Sequence, residues 1–113
     1  MSLAIRLLCE PVRSLGFASI GAAYMGIGSA ILNATRMLHI QNLTDKTLMF
    51  SFDGVNDHFP LASNGFLLLD IAANKTVPQG FYLPEGQRIY VKEDSATPTS
   101  GSVYVTTFYG ADL

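Results

Sequence analysis

Short runs of alternating apolar and polar residues, broken every few positions by Gly, Asn, Asp, Pro or Ser, fill this sequence from residue 37 onward. A side-chain period of two belongs to a β-strand with one buried face, whereas a helix repeats every 3.6 residues. Residues 37–41 place Leu38 and Ile40 on one face and Met37, His39 and Gln41 on the other. Residues 47–53 repeat the scheme with Leu48, Phe50 and Phe52, and Asn42-Leu-Thr-Asp45 between the two runs predicts a tight hairpin joining antiparallel neighbours. Further on, 87–92 sets Ile89 and Val91 inward against Arg88, Tyr90 and Lys92, and 101–109 forms a long last strand with Val103 and Val105 opposite Tyr104 and Phe108. Residues 81–83 add a short segment. The run 66–71 is apolar except for Asp70, which fits a strand covered on both sides or one whose second face meets a neighbouring subunit.

The first third has a different texture. Residues 12–31 mix small and apolar residues around Gly16, Gly21, Gly26 and Gly28, which suits a twisted strand or a bulged pair better than a helix, because each interior Gly costs a helix about 1 kcal/mol. A short helix over 23–32 is the alternative there. Together the punctuation predicts an all-β chain, an antiparallel β-sandwich of about seven to eight short strands. At 113 residues there is room for one core. The domain is expected over 13–113, behind an N-terminal arm over 1–12.

Apolar residues make up 49% of the chain and charged residues only 14%, against roughly 25% in ordinary soluble domains. Part of this surface is therefore expected to be covered by something other than water. The four glycines between 14 and 35 keep that low-charge stretch from reading as a membrane span. The seven Lys and Arg are dispersed and the net charge is −2, so no basic stripe offers itself to phosphates, and no direct nucleic-acid partner is expected. Cys9 stands alone, which rules out an intrachain disulfide. Although an apolar run precedes it, Arg6 and the bulky Leu8 do not suit a cleaved leader. Asn33, Asn42 and Asn74 each stand two positions before a Thr, and these glycosylation-like triplets read as chance matches in a chain rich in both residues.

Chemistry has little to work with. His39 and His58 are the only histidines, too few for a three-histidine metal site. Asp53, Asp57 and His58 share one loop, but Asp-Gly and Asn-Asp are also what turns demand, and the spacing is not that of a calcium loop. No serine occupies a Gly-x-Ser-x-Gly elbow, and the glycines between 21 and 28 frame no nucleotide loop. No catalytic residue, metal or cofactor is expected, and an enzyme is the least supported class.

The ordered set Ile40-Gln-Asn-Leu-Thr44, Phe50-Ser-Phe-Asp-Gly54, Asn56-Asp-His58, Leu69-Asp70 with Asn74, Leu83-Pro-Glu-Gly86, Ile89-Tyr-Val-Lys92 and Ser100-Gly-Ser-Val-Tyr104 with Tyr109 resembles small virion proteins of tailed bacteriophages, over roughly residues 13–110. The resemblance implies a β-sandwich subunit repeated around a symmetry axis, at the neck or tail or on the capsid surface, and it carries over no functional residue. On that footing the chain is expected to be a head-to-tail connector, neck or tail component. It would be made in the host cytoplasm and built into the virion against its own copies and against portal, tail or capsid subunits. A capsid decoration protein is the alternative within the class. A carbohydrate-binding module, using Tyr24, Phe59 and Tyr82 but lacking any Trp, is the alternative outside it. The residues expected at the interface are Ile5, Leu7, Leu8, Phe66, Leu68, Tyr90, Tyr104 and Phe108, with loops 53–60 and 93–100 meeting other proteins.

Overall fold

In a computed structural model the residues described are 5–70, 84 and 86–112. They form β1 (Ile5–Cys9), β2 (Arg13–Gly16), β3 (Met25–Gly26), β4 (Met37–Asn42), β5 (Leu48–Ser51), β6 (Phe59–Leu61), β7 (Phe66–Asp70), β8 (Tyr90–Glu93) and β9 (Ser102–Asp112), with one 3-10 turn over Phe17–Ser19. Two antiparallel sheets pack as a sandwich. The five-stranded sheet runs β1-β9-β4-β7, with β2 also on β9, and the four-stranded sheet runs β3-β8-β5-β6.

The alternation read from the sequence decides which side chains meet between the sheets. Leu38, Ile40, Val103 and Val105 come from the larger sheet, and Leu48, Phe50 and Val91 from the smaller, with Ile89 just before β8, all removed from water. Ile20 and Ile27, on the segment that crosses between the sheets, complete this cluster. Phe59 stacks on Phe50 with ring centroids 5.5 Å apart and closes one end.

Strand pairing departs from expectation at one place. β4 and β5 are not hairpin neighbours: β4 lies between β9 and β7, while β5 lies between β8 and β6 in the opposite sheet. Alternation specifies the face a strand turns to the core, and that requirement is met equally by a partner beside it or across from it. Asn42 settles the matter locally. Its buried side chain accepts from Thr44 N at 3.0 Å and from Thr44 Oγ at 2.6 Å, and donates to the carbonyls of Lys46 and Leu61 at 2.9 Å. These bonds carry the chain over the edge of the sandwich rather than back along β4. The triplet Asn42-x-Thr44 is thus part of the core's polar seam.

The glycine-rich first third supplies β2, the 3-10 turn and the two-residue β3, with no helix over 23–32. Half of the alternation in 66–70 reaches the core, through Leu67 and Leu69, while Phe66 and Leu68 face outward. Ile71, the short segment 81–83 and Asn74 lie outside the described residues. The N-terminal arm, from Ile5 on, is a strand of this chain's own sheet, paired with β9 from Ile5↔Asp112 to Cys9↔Phe108. β9 makes this possible because it is eleven residues long and runs past the end of β4, whose last partner on it is Phe108.

Candidate interaction surface

Residues paired across an antiparallel ladder point to the same side of the sheet. The registers therefore lay out the outer face of the larger sheet row by row. Phe66, Gln41, Tyr104 and Ser14 form one row, Leu68, His39 and Thr106 the next, and Met37, Phe108 and Cys9 a third, with Leu7 beyond it opposite Gly110. Asp70, a charged position of this face, falls at the end of β7. Phe66 is 63% exposed, Leu68 53% and Leu7 61%. The His39 and Phe66 rings meet in a T-shaped contact on this face, centroids 5.6 Å apart and planes 70° from parallel.

Of the side chains expected at an interface, Leu7, Phe66, Leu68, Tyr104 and Phe108 share this one face. Ile5 is placed by its backbone pairing alone, at the same end of the sheet. Two do not join them. Leu8 belongs to the opposite side of β1, paired with Tyr109. Tyr90 lies on the outer side of the other sheet, under the Arg88 guanidinium at 5.9 Å and against Gly54, where an added Cβ would stand only 3.2 Å from the ring.

That other outer face is of a different kind. Tyr24 donates its hydroxyl to Asp57 at 2.6 Å, Lys92 reaches Asp57 at 3.1 Å, and the Lys92 ammonium sits 4.8 Å from the Tyr24 ring centre. Burial, followed by the Asp57 hydrogen bond, holds the Tyr24 hydroxyl protonated well above the usual tyrosine range. The Tyr24 and Lys92 bonds in turn lower Asp57. Asp53 spends its carboxylate on the amides of Val55 and Asn56 and on the side chains of Asn56 and Ser51, which depresses its pKa and closes the 53–58 turn. His58 is held by its Nδ1, which accepts from Phe52 N at 2.9 Å. The polar groups of this loop serve one another, and among the described residues no cluster of three or more His, Cys, Asp and Glu side chains is placed to hold a metal ion. Nor do the aromatics considered for sugar binding converge, since Phe59 stacks toward the core while Tyr24 is committed to Asp57 and Lys92. Tyr82 lies outside the described residues.

One feature carried no recognised sequence signal. Glu10 and Arg13 are buried together, 2.6 Å apart, in the gap between β1 and β2. Arg13 also donates to the carbonyls of Ser29 and Ala30 and to Thr107 Oγ1, while Glu10 accepts from the amides of Leu32 and Asn33 and from Asn33 Nδ2. Pro11, which interrupts pairing, together with two opposite charges three apart in a charge-poor chain, is the trace it leaves in the sequence. Compared with protein-family models, curated proteins and solved structures, the chain finds no match in any of the three.

Proposed function

We propose that this chain is a structural subunit of a tailed-bacteriophage particle, a head-to-tail connector, neck or tail component that works by packing against other copies of itself. The observation that carries the assembly part is the outer face of the five-stranded sheet, where Leu7, Phe66 and Leu68 stand more than half exposed around Tyr104 and Phe108. Side chains of this kind gain roughly 1.5–3 kcal/mol each on full burial, and exposed apolar groups gathered on one face mark a surface made to be covered. The place in a phage particle rests on the sequence resemblance, which the two-sheet architecture suits. The mechanism is geometric: backbone pairing and apolar contact hold neighbouring subunits in a fixed relation. Quantitative mass spectrometry of purified particles made by the genome that encodes this chain tests the assignment. A copy number fitting one ring at a unique vertex supports it, a number comparable with the major capsid protein makes the chain a decoration protein, and absence from the particle overturns it.

A further inference from the structure

His58 stands in the polar loop that joins β5 to β6, and its ring takes a place that a backbone carbonyl would otherwise fill. Nδ1 accepts from the Phe52 amide at 2.9 Å, while the His58 amide donates to Phe50 O at 3.1 Å. The residue thus closes the loop onto the end of β5 twice, once through its ring and once through its main chain. Turned over, the ring would set a C–H against the Phe52 amide, so the nitrogen belongs where it stands.

We infer that His58 is a proton-operated latch: the neutral ring holds the 52–58 loop closed, and protonation of Nδ1 releases it. A ring nitrogen that accepts from an amide has its lone pair engaged, so in this arrangement the ring's one proton sits on Nε2. A second proton makes Nδ1 a donor aimed at another donor. The bond to Phe52 does not survive that change.

Ser51 Oγ, 3.4 Å from Nδ1, does not take the new proton. Its own hydrogen goes to Asp53 Oδ1 at 2.8 Å, and its lone pairs receive the amides of Asp53 at 3.1 Å and Gly54 at 3.0 Å. Ser51 is fully buried, so water does not replace those bonds. The charged ring therefore swings out of the loop, which its exposed position allows. Phe52 then loses both the acceptor of its amide and the imidazole tilted against its ring at 5.7 Å, and keeps Phe59 at 5.6 Å.

Among the described residues, the titratable and charged groups around this loop are Asp53 and Asp57 within it, Tyr24 ahead of β3, Arg88, and Tyr90 and Lys92 on β8. All are engaged elsewhere. Asp53 accepts from the amides of Val55 and Asn56, Asp57 is shared by Tyr24 and Lys92, and Arg88 lies over Tyr90 and donates to Gly28 O. These ties hold the rest of the loop when the latch opens, so the change is confined to the clasp between His58 and Phe52. The Asn56 amide foremost at Asp53, and the Tyr24 hydroxyl foremost at Asp57, keep both carboxyls below the usual carboxylate range. A response between about pH 8 and about pH 5 thus belongs to the imidazole, the side chain that changes charge in that window.

Nuclear magnetic resonance of the isotope-labelled full chain tests this. At about pH 8 the His58 ring is expected as the Nε2–H tautomer, with the Phe52 amide proton shifted downfield as a bonded amide. On titration to about pH 5 that amide should move upfield along the same curve as the His58 ring, while the titration of His39, on β4 of the other sheet, leaves it unmoved. His58→Asn sets an oxygen that takes no proton in the place of Nδ1, and should hold the Phe52 amide at its high-pH position throughout. A Phe52 amide that stays fixed while His58 titrates, an Nδ1–H tautomer at the start, or an undiminished pH response in His58→Asn overturns the latch.

Discussion

Glu10 and Arg13 form an ion pair 2.6 Å apart with side chains only 3% and 7% exposed, the one charged pair withdrawn from water among the described residues. It lies where the edge of the larger sheet passes from β1 to β2, and its remaining hydrogen bonds tie that break to the 29–33 segment and to Thr107 on β9. Pro11 ends the pairing of β1, and the pair holds the chain in place until pairing resumes at Arg13.

Removing one partner strands the other charge without water. Arg13→Ala and Glu10→Ala are each expected to lower unfolding free energy by about 3–5 kcal/mol, and the double variant by clearly less than the two losses combined. Urea unfolding of the three variants measures this, and additive losses would mean that the two charges act separately.

Acid stability follows from the same pair. Burial alone would raise the Glu10 pKa, but the hydrogen bonds from Arg13, Asn33 and the Leu32 and Asn33 amides outweigh it and leave it below its ordinary value of 4.5. A carboxylate lowered on folding stabilises the fold above its unfolded pKa, and this contribution is lost as pH falls through the folded value. Stability should therefore drop as pH is taken below about 4.5, and more steeply in wild type than in Glu10→Gln. Chemical unfolding across that range provides the comparison, and parallel curves would remove Glu10 from the account.

Asn42→Ala leaves the carbonyls of Lys46 and Leu61 and the Thr44 amide without their partner in a buried seam. The expected loss is about 2–4 kcal/mol, read as a lower urea midpoint. A loss under about 0.5 kcal/mol would show that the crossover from β4 to β5 is held by something else.

Gly101 enters β9 at φ +87, with the backbone of Leu43 directly where a side chain would begin. Gly101→Ala is expected to cost about 2 kcal/mol or more, since both the left-handed conformation and the close approach oppose it. Gly86, also at positive φ but facing open space, serves as the control, and its alanine variant should lose less.

The sequence showed which side chains of β4, β5, β8 and β9 enter the core, because burial on one face imposes alternation whatever the partner. It did not show that β4 and β5 belong to different sheets, because strand partnership depends on the bonds of one asparagine and on contacts distant in the chain. Exposed apolar character at Phe66 and Leu68 was legible as a run that one buried face cannot use up. That Leu7, Phe66 and Leu68 share a face while Leu8 and Tyr90 do not is a matter of register, which a single residue's slip would reverse. The Glu10–Arg13 pair escaped because two charges beside a proline look the same in a solvated turn as in a buried gap.

Whether the outer face of the five-stranded sheet is where copies meet is tested most directly by sedimentation velocity of the wild-type chain beside a Phe66→Lys, Leu68→Lys double variant. Both substitutions fall on side chains that are more than half exposed, so the fold should survive, as an unchanged far-ultraviolet spectrum would verify. The account predicts that the concentrated wild type sediments as a discrete multimer and the variant as a monomer. Wild type that remains monomeric at the highest attainable concentration, or a variant that forms the same multimer, would contradict it.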